Sequence, residues 1–219
     1  MKAMLYADWL NFRQSFRSML FILIVFAFAA FMWSGPMFFI TIVVMLSIMM
    51  PATLCASDQA YGWDKLSLSL PILRREVVGS KYLMGLAVNL VLFALAAAMT
   101  VVYSWTDKSV PMAENLLCLF CGEIISLLLM GLMFIITFKF GAEKSRYILI
   151  GVVWIPILVM AAIVKLDIIP GMVGAFDRGF NQLVTEPAYL PLAAALLVAL
   201  AIYASCYAVS VYTYQKKEL

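Results

Sequence analysis

Apolar residues in this chain fall into six long runs, at about 18 to 33, 37 to 57, 82 to 104, 115 to 138, 147 to 164 and 188 to 213. About 20 such residues are what a helix needs to cross the roughly 30 Å hydrocarbon core of a bilayer. Hydrophobic residues make up 66% of the 219 and charged residues only 12%, where a soluble domain carries about 25% charge. Such a chain cannot cover a water-facing surface with polar groups. The sequence therefore predicts an all-α, polytopic membrane protein with six transmembrane helices in a single membrane domain, leaving too little polar chain for a separate soluble unit.

The first 17 residues differ in pattern from the six runs. At about 100° per residue, Met1, Leu5, Trp9, Phe12 and Phe16 gather on one face, with Lys2, Asn11, Arg13, Gln14 and Arg17 off it. This pattern predicts an amphipathic helix lying in the interface; a single long, tilted first span over 9 to 33 is the alternative. The first apolar run has no small-residue cleavage site, so a signal peptide is not expected. Ser34, Gly35 and Pro36 separate the first two runs as a tight uncharged turn. Tyr82 and Tyr103 are expected as interface belts of the third run.

Basic residues set the orientation. With the N-terminus inside, twelve of the 15 Lys and Arg residues fall on the cytoplasmic side, leaving only Lys108, Lys165 and Arg178 outside. This split predicts both termini cytoplasmic. It also accounts for the net charge of +3 as topology, with no support for nucleic-acid binding.

Several chemistries are excluded by residue type. The sequence has no His, so a serine-protease triad, a zinc site of the HExxH kind and a His proton relay are absent. Cys55, Cys118, Cys121 and Cys206 all lie within apolar runs, where they read as small packing residues rather than a disulfide framework or metal site. No phosphate-binding P-loop motif occurs. No metal or cofactor is expected to bind this chain.

Two connections are long enough to hold structure. The outer one, 165 to 187, mixes Ile168, Ile169, Met172, Val173 and Phe176 with Pro170, Gly171, Gly174 and Gly179, predicting re-entrant or interfacial helices. The other, 58 to 81, is the most polar stretch of the chain. Asp58 is placed to cap a short helix at about 59 to 69, with Tyr61, Lys65 and Leu68 on one side and Trp63, Leu66 and Leu70 on another. Pro71 ends it. A short helix showing aromatic and leucine side chains in an elbow between two spans suits docking to another protein.

The order Asp58, Trp63, Ser69, Leu70, Pro71, Ile72, Arg74, the pair Val77 and Val78, then Lys81 and Tyr82 resembles the permease subunits of type-2 ABC exporters. The likeness is greatest to the small six-span group associated with export of antimicrobial or cytolytic peptides. Leu73 stands where a small polar residue is usual. The resemblance implies that the elbow is a coupling helix docking in a cleft of a separate ABC ATPase through Asp58, Tyr61, Trp63, Asp64, Lys65, Leu66, Ser69, Leu70, Pro71 and Arg74. It further implies ATP and Mg in that partner and a second permease copy, as homodimer or heterodimer, around the translocation path.

Glu123 is the one ionisable residue well inside a run, with Ser126 about one turn further on the same side. A carboxyl in hydrocarbon must face protein or water. Glu123 and Ser126 are thus either a polar spot on a pathway or dimer seam, or a pair hydrogen-bonded to a neighbouring helix. Asn89, read as close to the cytoplasmic end of the third run, is not expected at the depth of Glu123. The scarcity of fixed polar groups favours amphipathic cargo over ions or sugars. Two further classes stay open: a non-transporting accessory, sensor or immunity protein, and an intramembrane enzyme using Glu123 with a loop acid such as Asp167 or Asp177.

Overall fold

The computed structural model describes residues 2–30, 32, 35–60, 74–106, 112–165, 174 and 189–216. Six helices make up nearly all of it: α1 (Lys2–Ala29), α2 (Gly35–Ala60), α3 (Arg74–Thr106), α4 (Met112–Phe140), α5 (Ala142–Lys165) and α6 (Tyr189–Gln215). No strand occurs among the described residues. Each apolar run coincides with one helix over most of its length, and the chain is an all-α multi-pass membrane protein.

Among the described residues, four segments are long and apolar enough to cross a membrane: Gly35–Asp58, Arg74–Trp105, Glu114–Phe140 and Pro191–Gln215. The apolar part of α1, Phe16–Ala29, is shorter. The interfacial helix and the first span are not separate elements, because α1 runs unbroken from Lys2 to Ala29. Its buried stripe is Asp8, Phe12, Met19 and Leu23, positions that return to nearly the same direction at helical spacing. Trp9, expected on the apolar face with Phe12, is 47% exposed.

Breaks between helices follow from backbone chemistry. Gly35, at φ +72°, supplies the left-handed step that opens α2, and Pro36 follows where a missing N–H costs nothing. Gly141, at φ +88°, divides α4 from α5; its N–H bonds the Thr137 carbonyl at 2.9 Å, and its own carbonyl accepts from Ser145 N–H at 3.1 Å. One residue thus ends one helix and starts the next.

The bundle is organised around α4, which packs on α2, α3, α5 and α6, while α1 lies against α2 and α3. Met130, Met133 and Phe134 of α4 are fully buried. Small residues allow close approach: at Gly122 an added Cβ would lie 3.1 Å from Ile40, at Gly131 3.2 Å from Tyr203, and at Gly85 2.9 Å from the Phe134 ring. Several hydroxyls within the helices are satisfied locally, as where Thr100 donates to the Ala96 carbonyl at 2.8 Å and Thr137 to the Met133 carbonyl at 2.7 Å. Large side chains left outside, among them Phe21, Ile24, Leu90, Trp154, Leu158 and Leu197, form the surface a lipid solvent requires.

Tyr82 is not an interface residue. It is 4% exposed, stacks on Phe134 at 4.4 Å and shares a 2.7 Å hydrogen bond with Ser210. The reason is that α3 begins at Arg74, so Tyr82 lies two turns inside the helix, facing α4 and α6. The outer connection expected at 165 to 187 falls, apart from Lys165 and Gly174, outside the described residues.

Candidate functional site

Two polar clusters are built into this apolar body. The first joins both stems of the elbow. Lys81, in the second turn of α3, places Nζ 2.5 Å from Asp8 Oδ1 on α1 and 2.6 Å from Asp58 Oδ2 near the end of α2, with all three side chains at most 5% exposed. Three segments distant in sequence are therefore held at one point.

Electrostatics explain why the three belong together. Asp58 sits in the last turn of α2, where free carbonyls make a carboxylate unfavourable, and burial costs each charge several kcal/mol of hydration. A single ammonium shared by two carboxylates offsets part of the cost of each. Asp58 is consequently not the cap of a helix starting at 59, since α2 continues to Ala60 and the carboxylate is turned inward to Lys81. Arg74, at the other stem, donates from Nη1 to the Gln215 carbonyl at 2.9 Å, tying the start of α3 to the end of α6. Tyr61, Trp63, Asp64, Lys65, Leu66, Ser69, Leu70 and Pro71 lie outside the described residues. Asp8 was not among the residues the sequence singled out; its signal was its place one turn before Phe12 on the stripe that reaches Met19 and Leu23.

The second cluster lies deeper, between α3 and α4. Asn89 Nδ2 donates to Glu123 Oε1 at 2.5 Å. Ser126 Oγ lies 3.2 Å from Asn89 Oδ1 and 3.1 Å from the Glu123 carbonyl, either of which can accept its one proton. Glu123 is 7% exposed. The separation in depth expected of Asn89 and Glu123 is thus corrected: α3 spans Arg74–Thr106, which puts Asn89 near its middle rather than its end. Of the two readings of Glu123, the hydrogen bond to a neighbouring helix is formed. Glu123→Leu should lower stability by about 1–2 kcal/mol, because Asn89 loses its acceptor in hydrocarbon, whereas Glu123→Gln, which keeps a carbonyl oxygen there, should cost under about 0.5 kcal/mol. Thermal unfolding midpoints in detergent give the comparison.

Among the described residues no group of three or more His, Cys, Asp and Glu side chains is placed to hold a metal ion. No disulfide joins Cys55, Cys118, Cys121 and Cys206, the last of which is buried.

A multi-pass helical body, with α1, α2 and α3 held at one buried lysine, defines a membrane protein. The chain belongs to the family of ABC-2 family transporter proteins, which it matches over residues 3–215. It is a permease component of an ABC transporter, and the family implies an ABC ATPase as partner. No curated protein and no solved structure matches the chain.

Proposed function

We propose that this permease works in an ATP-driven exporter of amphipathic cargo such as peptides. In this reading the chain crosses a cell membrane six times with both termini cytoplasmic, and the translocation path forms between two permease copies, identical or related. ATP and Mg are bound by the partner ATPase, and the elbow residues Tyr61, Trp63, Asp64, Lys65, Leu66, Ser69, Leu70 and Pro71 dock in its cleft. Glu123 and Ser126 are the candidate polar spot on the path or seam.

The observation that carries the reading is the clamp of Lys81 on Asp8 and Asp58. A docking elbow transmits force only if its stems move as one body. Lys81 joins the stem that enters the elbow to the stem that leaves it, and attaches both to α1. Motion of the ATPases would therefore reach α1, α2 and α3 together.

Co-purification with the ATPase tests this directly. Trp63→Ala with Leu66→Ala should cut recovery of the ATPase at least about tenfold, the equivalent of about 1.4 kcal/mol, and stop export, with the permease eluting unchanged from a sizing column. Normal co-purification and normal export by that variant would show that docking lies elsewhere. For the path, Glu123→Gln should impair export at undiminished stability if the carboxylate meets cargo; unimpaired export would confine Glu123 to holding α3 on α4.

A further inference from the structure

Between α3 and α6, a partly open groove of ≈ 310 Å³ is lined by Gly79, Tyr82, Leu83, Leu86, Tyr203 and Tyr207, with Ala204 at its rim. Its walls are almost wholly apolar, and the polar atoms nearest them are tyrosine hydroxyls. The Tyr203 hydroxyl donates to the Tyr82 carbonyl at 2.9 Å, and that of Tyr82 is paired with Ser210, so neither is offered to a ligand. The Tyr207 hydroxyl is different. It accepts from Arg75 Nε at 3.3 Å, which fixes an exposed guanidinium at the end of the groove nearest the start of α3.

Arg75, Gly79, Leu83 and Leu86 recur at helical spacing on α3, so cation and groove form one continuous strip. The same end of the bundle carries Arg74, bonded to the Gln215 carbonyl, and Lys216, whose Nζ lies 4.3 Å from the Tyr212 ring centroid. Glu76, half-buried beside Arg75, is the acid adjacent to them in this strip.

We infer that this groove is a binding site for one anionic phospholipid, its acyl chain along Leu83, Leu86 and Ala204 and its phosphate on Arg75. The charge pattern selects this occupant. A guanidinium presents five N–H donors in a fork that matches phosphate oxygens, and with Nε engaged by Tyr207 the terminal nitrogens remain for the headgroup. Tyr207, whose hydroxyl meets the Arg75 guanidinium where apolar wall gives way to cationic rim, suits the headgroup depth of a bilayer. A second copy of the chain is disfavoured, because a two-fold contact here would set Arg74, Arg75 and Lys216 against the same three cations. The inference rests on membrane embedding alone and is independent of cargo and of the docking elbow.

Native mass spectrometry of the permease, with any co-purified ATPase, titrated with dioleoyl phosphatidylglycerol or dioleoyl phosphatidylcholine, tests it. The wild-type chain should bind the anionic lipid about tenfold more tightly than the neutral one. Arg75→Gln should reduce that preference about fivefold, as expected for one basic residue at a lipid surface. Ala204→Phe, which fills an exposed position of the groove without entering the core, should weaken both lipids while leaving the protein monodisperse. Equal binding of the two lipids by the wild type, or an unchanged preference in Arg75→Gln, would overturn the assignment. So would displacement of bound lipid by soluble glycerol phosphate, which would mean that the groove takes no part. Loss of a dimer in Ala204→Phe with lipid binding intact would identify the groove as a contact between copies instead.

Discussion

Lys81→Met should be among the most damaging single substitutions in the protein, at about 3–5 kcal/mol, because it takes their shared ammonium from two carboxylates in a site nearly closed to water. Asp8→Asn and Asp58→Asn should each cost less, about 1–2 kcal/mol, since either leaves Lys81 one carboxylate to pair with. Combining the two should exceed the sum of the single effects, because only then does the ammonium stand alone. Adding Lys81→Met to that double variant should recover stability, as it removes the last stranded charge. This sign reversal, loss in the wild-type background and gain in the double variant, is the signature of one shared cation. Additive effects throughout, read from unfolding midpoints of the purified variants, would show that Lys81 makes two independent pairs. On transport, Asp8→Asn is the informative variant: it releases α1 while keeping the stems of the elbow joined, so export should fall with ATPase binding intact.

What the sequence made legible, and what it did not, separates along a physical line. Spans are long, locally encoded patterns, and the runs at 37 to 57 and 115 to 138 sit within Gly35–Ala60 and Met112–Phe140. Gly35 and Pro36 announced their turn because backbone chemistry acts at single residues. The elbow motif carried the family because it is a string of side chains held in order, and it needs no knowledge of which helices are neighbours.

Lateral contacts had no such local record. Taking the third span to start at Tyr82 placed that residue in the headgroups and Asn89 near the inner end, yet the helix already begins at Arg74. Arg74, Arg75, Glu76 and Lys81 look like loop composition. They are helical because Lys81 is neutralised by Asp8 and Asp58, and Arg74 meets a helix-end carbonyl. A charged residue can enter an apolar bundle only when its partners arrive with it, and those partners lie on other helices. Asp8 is a parallel case, since nothing near it in the chain announces the Lys81 that it pairs with across the bundle. Hydropathy measures each residue alone, whereas burial of a charge is decided by the group.

Gly85→Ala should destabilise the bundle even though alanine is the better helix former. A Cβ there would lie 2.9 Å from both Cε2 and Cζ of Phe134, inside van der Waals contact. The ring cannot swing away, because Tyr82 stacks on it at 4.4 Å and Phe138 follows at 6.2 Å. Overpacking of this kind costs about 1–3 kcal/mol, against a propensity gain of up to about 1 kcal/mol for replacing glycine in a helix. Packing therefore wins, and Gly85→Val, with two more methyl groups against the same ring, should be worse. Lipid tails are as apolar as the core, so close packing itself rather than escape from water holds α3 on α4. That makes the compensating change specific: Phe134→Leu alone opens a cavity and costs about 1–3 kcal/mol, but it clears the space that the new methyl group of Gly85→Ala would need. The double variant should be more stable than the sum of the single losses predicts by about 1 kcal/mol or more. Unfolding midpoints of the four proteins in one detergent decide it, and simple additivity would mean that Gly85 and Phe134 do not meet in the folded protein.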